Sequence, residues 1–201
     1  MNIHKILSKF LYIDMPVVKL EDVDLTKLSV KKSKDTCFLQ LGLEKPLIQT
    51  PWIRLSKYCL PSRKFVKETD ECISLTIPLE EGDDLHTFFL SIDNYLASKQ
   101  LVPNRFLHKF VAERDGNHYV KFKLNLHTAV KLGCVNTEME RIHDIYGSLQ
   151  EGSEVRLIFS FTKLWQLNGS YGFSNRVEKL HVRETWGPSV EHTCDFIDQS
   201  V

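Results

Sequence analysis

Hydrophobic residues recur at three-four spacing in one long stretch, where Leu85, Phe88, Phe89, Ile92, Tyr95 and Leu96 mark a single helical face. Glu80, Glu81, Asp83 and Asp84 lie at its start and Lys99 at its end, signs that suit the helix dipole. The spacing predicts a core helix over about 83–99. Elsewhere the period is two. Ile73, Leu75 and Ile77 alternate with Ser74 and Thr76 until Pro78, and Val120, Phe122, Leu124 and Leu126 alternate with Tyr119, Lys121, Lys123 and Asn125. Strands are also expected at 37–43, at 47–58 after Pro46, and over a final pair, 155–165 and 171–184, joined at Asn168-Gly169. In the last strand Val177 is out of step with Leu180 and Val182, which predicts a β-bulge. One helical turn is expected around 138–146. The first 34 residues, with Ile6, Leu7, Phe10 and Leu11 and a charged run ending at Lys34, read as an arm or edge element.

The chain of 201 residues is 42% apolar and 26% charged, enough for one sizeable core rather than two. Lys plus Arg equals Asp plus Glu at 26 each, so no global field draws it to nucleic acid, and an anion-binding surface requires local segregation. Cys37, Cys59, Cys72, Cys134 and Cys194 are scattered with no C-x-x-C pair, a pattern of reduced thiols in a cytosolic or nuclear setting. The start of the chain lacks a cleavable leader pattern and no apolar run is long enough for a bilayer, so a soluble, non-secreted protein is expected.

Charge is segregated in the middle of the chain. Residues 52–67 contain Arg54, Lys57, Arg63, Lys64 and Lys67 and no acid, whereas residues 68–84 contain seven acids and no base. Extended geometry from 52 to 58 places Trp52, Arg54, Ser56 and Tyr58 on one face and Ile53 and Leu55 on the other. Rings interleaved with cations suit single-stranded nucleic acid, because bases stack on flat rings while phosphates pair with ammonium and guanidinium groups. Trp52 as a core residue, with the cations as a solvated rim, is the plainer alternative. Tyr119, Lys121 and Lys123 form a second patch of the same kind on another strand.

The segment from Gly152 to Glu184 contains Gly152-Ser-Glu-Val155, then Trp165, the Asn168-Gly169 turn followed by Tyr171 and Phe173, and finally Leu180-His-Val182. This resembles the C-terminal strand pair of the OB-fold single-stranded DNA-binding proteins of viral and phage type. The order of parts over residues 46–184 is also similar: a strand ending Thr76-Ile77-Pro78, a long helix, another strand, a loop and the hairpin. The resemblance implies a protein that coats transient single strands in viral DNA replication or recombination, at a nuclear or cytoplasmic replication site of the host. It adds Trp165, Tyr171, Phe173 and Arg176 as candidate DNA contacts, Trp165 being equally readable as a buried hairpin anchor. Single-stranded DNA, replication proteins of the same virus and further copies of the chain are the partners it admits. The strongly acidic tail of the phage type is reduced here to Glu191, Asp195 and Asp198.

Enzyme chemistry has little support. The eight histidines are dispersed outside any zinc pattern, Cys59 has no placed base in sequence, and the turn at 169–172 lacks a P-loop lysine. No catalytic residue, metal or cofactor is expected. The combined expectation is a mainly β chain with one inserted long helix (α+β), an OB-like five-stranded antiparallel barrel over residues 35–186 and a short tail over 187–201. The rival is a β-rich viral structural or scaffold module that binds protein through its aromatic face, since Trp, Tyr and Arg are also favoured interface anchors.

Overall fold

The computed structural model describes residues 16–34, 36–42, 46–67, 69–101, 103–137 and 142–183 of the chain. The amphipathic stretch at residues 6–11, Cys194 and the tail 187–201 lie outside the described residues. In chain order the strands are β1 (Val17–Lys19), β2 (Leu28–Ser33), β3 (Thr36–Leu41), β4 (Leu47–Gln49), β5 (Ile53–Arg54), β6 (Cys72–Leu79), β7 (Leu107–His108), β8 (Ala112–Arg114), β9 (Asn117–Asn125), β10 (Ala129–Leu132), β11 (Val135–Thr137), β12 (Glu154–Phe161), β13 (Trp165–Leu167), β14 (Ser170–Gly172) and β15 (Asn175–Arg183). The α-helices are α1 (Asp84–Lys99) and α2 (Ile142–Gly147). The chain is therefore mainly β with one long helix.

The main sheet is built on the antiparallel pair β12 and β15. On one side β12 meets β4 and β5, and β4 pairs in parallel with β1. On the other, β15 runs parallel to β9 at Asn175 and Arg176 and to β10 from Lys179 to Val182. β9 continues the sheet antiparallel to β6 and β8, and β10 to β11. No ladder among the described residues joins the two margins, so the sheet stays open and a five-stranded closed barrel is not what forms. Among the described residues the margins approach through an irregular link, Thr76 N donating to Cys59 O at 2.8 Å.

The expected bulge is present. Ile158 faces Lys179 while Phe159 faces Val177, which leaves Glu178 as the extra residue. Because alternation resumes on both sides of it, Val177, Leu180 and Val182 all reach the core.

α1 covers the inner face. Asp83 is its N-cap, and Gln100 ends it in the left-handed conformation at φ 49°. Leu85, Phe88, Phe89, Ile92 and Leu96 are buried, with Phe89 5.8 Å from both Phe122 and Phe159, ring centre to ring centre. Phe159 in turn lies 5.1 Å from Phe122 and 5.8 Å from Phe161. These tilted and edge-on contacts join helix, β9 and β12 into one apolar centre, each buried ring stabilising by about 1.5–3 kcal/mol. The helix also carries a buried carboxylate, Asp93, which accepts from Phe110 N at 2.8 Å and Val111 N at 2.9 Å and so fastens the segment before β8.

Two expectations are corrected. The strand over 47–58 is interrupted after Gln49, because Pro51 lacks an N–H and Thr50 takes over the bonding to Leu157. Thr50 N donates to Leu157 O at 2.9 Å, and its Oγ1 accepts from Leu157 N at 3.0 Å. Beyond Arg54 the chain is a loop, so alternation does not govern Ser56, Lys57 or Tyr58. The final hairpin is divided: β12 ends at Phe161, and β13 and β14 leave it to form a small sheet with β7. Its tip is the expected Asn168-Gly169 turn, both residues having positive φ (50° and 79°). β2 pairs antiparallel with β3, and Leu28 of β2 is buried in the core.

Candidate nucleic-acid interface

The loop after β5 alternates anchors with projections. Leu55, Cys59 and Val66 are buried, whereas Tyr58 is 75% and Phe65 68% exposed. Leu55 exchanges backbone bonds with Ser153 and Gly152 at 2.8 and 2.7 Å, and Cys59 Sγ accepts from Ser56 N at 3.3 Å. Tyr146 Oη on α2 donates to Pro61 O at 2.9 Å. The loop is thus held at both ends and in its middle. Its two projecting rings are fixed where burial would have stabilised each by about 1.5–3 kcal/mol.

Both rings border an open groove of about 420 Å³ whose floor is the outer face of β6 and β9, including Ser74, Thr76 and Lys121. A second groove of about 570 Å³ lies on the other side of Tyr58, between the loop and α2. Tyr58 is therefore a ridge between two troughs. Each ring carries a cation: Lys57 Nζ lies 4.9 Å from the centre of Tyr58 and Lys64 Nζ 4.9 Å from that of Phe65. Lys121 lies 5.8 Å from the ring of Tyr119, and Arg105 lies 4.7 Å from that of Phe106. A side-chain hydrogen bond to Tyr58 holds the Lys57 ammonium above its ordinary pKa of 10.5, so it is cationic at neutral pH. On the floor, Lys121 faces Thr76; beside it on β9, Lys123 faces Ser74 and neighbours Arg176.

The sequence candidates fall into three groups. Tyr58 and Lys121 line the first groove together with one carboxylate, Asp70, and Lys57 lines the second with Tyr58; Lys64 adjoins groove-lining Phe65, Tyr119 and Lys123 flank Lys121 on β9, and Arg63 opens the short 3-10 turn that displays Phe65. Trp52 and Arg54 lie elsewhere, at the far end of the outer face. Trp52 is ringed by Arg156 (4.5 Å), Arg183 (4.8 Å) and His181 (5.1 Å), so it seats side chains of its own protein. Among the third group, Phe173 is 4% exposed and is a core residue with no face for a base, contrary to expectation. Trp165 takes the anchor role. Its Nε1 donates to Ser174 Oγ at 3.0 Å, and its ring packs so closely on Gly172 that a Cβ there would meet it at 2.6 Å. Tyr171 is half-buried between Gln166 and Leu107, and Arg176 donates to Glu178 Oε1 at 2.8 and 2.9 Å, an oxygen that also accepts from Ser160 Oγ.

Phe65 and Phe106 were missed. Their signal was present as Lys64-Phe65 and Arg105-Phe106, a cation immediately before a ring, as in Lys57-Tyr58. Alternation arguments pass over such pairs because they lie in turns. Also missed were Arg156, His181 and Arg183, whose proximity to Trp52 is set only by strand register.

Burial lowers the pKa of His181 below 6.5, and Lys131, Arg156 and Arg183 lower it further against the bond to Gly133 O. The unfolded chain therefore takes up this proton first, and stability is expected to fall as the pH drops from about 6.5 through the lower folded value. Urea unfolding at pH 7.5 and 5.5 checks this: His181→Gln should lose less stability on acidification than the parent.

Among the described residues no group of three or more His, Cys, Asp or Glu side chains could hold a metal ion, and no helix is long and apolar enough to cross a membrane. Neither a protein-family model nor a curated protein matches the chain. Single-stranded DNA-binding proteins of bacteriophages are among the solved structures it resembles. The single-stranded DNA-binding protein from bacteriophage Enc34 aligns with a TM-score of 0.46 and 17% identity, over 84% of this chain and 96% of that one. The same phage protein in complex with single-stranded DNA aligns at 0.46 and 14%, over 81% and 98%. Gp2.5, encoded by bacteriophage T7, aligns at 0.38 and 13%, over 78% and 100%.

Proposed function

We propose that this chain binds single-stranded DNA without sequence preference and coats transient single strands during viral DNA replication and recombination. The observation that carries the reading is the pair of rings, Tyr58 and Phe65, held in solvent beside an open groove with a lysine against each. Every base has a face that can stack on such rings, and the adjacent ammonium groups are placed for phosphates, so affinity is tolerant of sequence. Lys121 on the floor and Lys123 beside it on β9 add cations along the same strand. The neutral net charge makes attraction local to this surface rather than global.

Titration of a fluorescent oligothymidylate over a salt series tests this. Neutralising phosphates with Lys57, Lys64, Lys121 and Lys123 would give a slope of log K against log salt of about −3. Absence of binding at low salt would sink the proposal, as would equal competition by duplex DNA.

A further inference from the structure

The outer face of the main sheet carries a second cationic cluster, away from the groove, that the reading above leaves without a task. Strand register sets it out in two rows. Arg54, Glu154 and Arg183 lie side by side on β5, β12 and β15, while Arg156, His181 and Lys131 lie side by side on β12, β15 and β10. Trp52 packs against both rows, with the guanidinium carbons of Arg156 and Arg183 4.5 and 4.8 Å from its ring centre. Four cationic side chains and one carboxylate share this area, in a chain whose formal net charge is zero.

We infer that this Trp52-centred cluster is a second anion subsite, taken by the phosphodiester backbone of the same single strand after it leaves the groove; the inference rests on the function proposed above. A guanidinium against an indole is oriented by the contact while its N–H groups remain in its own plane, suited to bidentate bonding with phosphate oxygens. Arg54 is exposed, and Arg183, 42% exposed in its side chain, donates through Nη1 to Glu154 Oε2 at 3.1 Å; these two are the contacting residues, Arg183 sharing its guanidinium between that carboxylate and phosphate. Buried Arg156 and Lys131 add to the local potential from beneath. The positive surroundings of His181, whose pKa is depressed partly by Lys131, Arg156 and Arg183, agree with that field.

A nucleic acid is favoured over an acidic peptide because the face is continuous with the groove. β15 leads from Arg183 through Lys179 to Arg176, and Arg176 neighbours Lys123 on β9, two residues from groove-lining Lys121. At about 3.3 Å per residue this run is roughly 20 Å long. A short strand can occupy the groove alone, whereas a longer one reaches both places.

The test compares oligothymidylates of about 5 and about 16 nucleotides, the range of site sizes for small binding folds, on the full chain and on R54A/R183A. The expected result is a loss of tenfold or more for the long strand and less than twofold for the short one, with R54K/R183K restoring most of the difference. In parallel, the long strand but not the short one should raise the imidazole titration midpoint of His181, followed by NMR. Unchanged affinity for both strands, or equal losses for both, overturns the subsite. If polyglutamate displaces the long strand from the parent protein but not from R54A/R183A, and the long-strand affinity itself is unaltered by the substitutions, the cluster takes acidic polypeptide and the inference fails. Failure of the parent to bind either strand overturns the proposed function, and the subsite with it. Binding of the short strand alone leaves the function intact and overturns only the subsite.

Discussion

Replacing Tyr58 and Phe65 together by alanine is expected to weaken single-strand binding by at least about 30-fold, since each base stacked on a ring contributes about 1–3 kcal/mol. Each single variant should lose about 5-fold or more. The rings are 75% and 68% exposed, and the loop beneath them is held by Leu55, Cys59 and Val66, so the substitutions remove binding surface without opening the core. The melting transition should stay within about 0.5 kcal/mol of the parent, as for other surface changes. Lys31→Ala with Lys32→Ala provides the matched control, because these lysines are exposed on β2, away from the groove lining. Fluorescence anisotropy reads binding and urea unfolding reads stability. A loss below threefold in the double variant, with the fold intact, would remove the rings from the interface.

Asp93→Ala is expected to cost about 2–4 kcal/mol of folding stability, a large part of the 5–15 typical of a domain. The carboxylate accepts from two backbone N–H groups, Phe110 and Val111, across a separation of 17 and 18 residues. Removing it strands both donors where water enters poorly. Asp93→Asn should fall between the two, because one oxygen still accepts while the amide N–H₂ opposes the other donor. Burial raises the Asp93 pKa above 3.8, against the lowering by the two backbone N–H groups. The native state therefore binds this proton before the unfolded chain does. On acidification through the folded pKa toward 3.8, the parent gains stability relative to Asp93→Asn, and the gap between them widens. Urea unfolding at neutral pH and at successively lower pH measures both effects. A constant gap would mean that the carboxyl does not titrate as burial requires.

The elements that could be read directly are those whose side-chain period is set by one neighbouring layer. α1 lies within one residue of its expected start, because a helix on a sheet needs an apolar stripe and Leu85 to Leu96 supply it. The alternation of β6 and β9 and the bulge opposite Ile158 and Phe159 were legible for the same reason. Strand 47–58 was not, since a propensity argument cannot see that Thr50 bonds Leu157, 107 residues away. Nor was the division of the last hairpin, which depends on β13 and β14 meeting β7.

The candidate site shows the same limit. Interleaved cations and aromatics in 52–67 mark the loop whose rings border the groove, and the alternation of β9 marks Lys121, yet which residues line the groove is decided by loop geometry. Trp52 illustrates the point: its composition context is that of a base-stacking residue, and register instead surrounds it with Arg156, His181 and Arg183. The sequence by itself determined the mainly β content, the single long helix and the local charge segregation, because these depend on near neighbours along the chain. Only the tertiary structure decided that the sheet stays open, that Phe173 is buried while Phe65 is displayed, and that two cationic clusters occupy one face, because those follow from contacts between residues far apart in sequence.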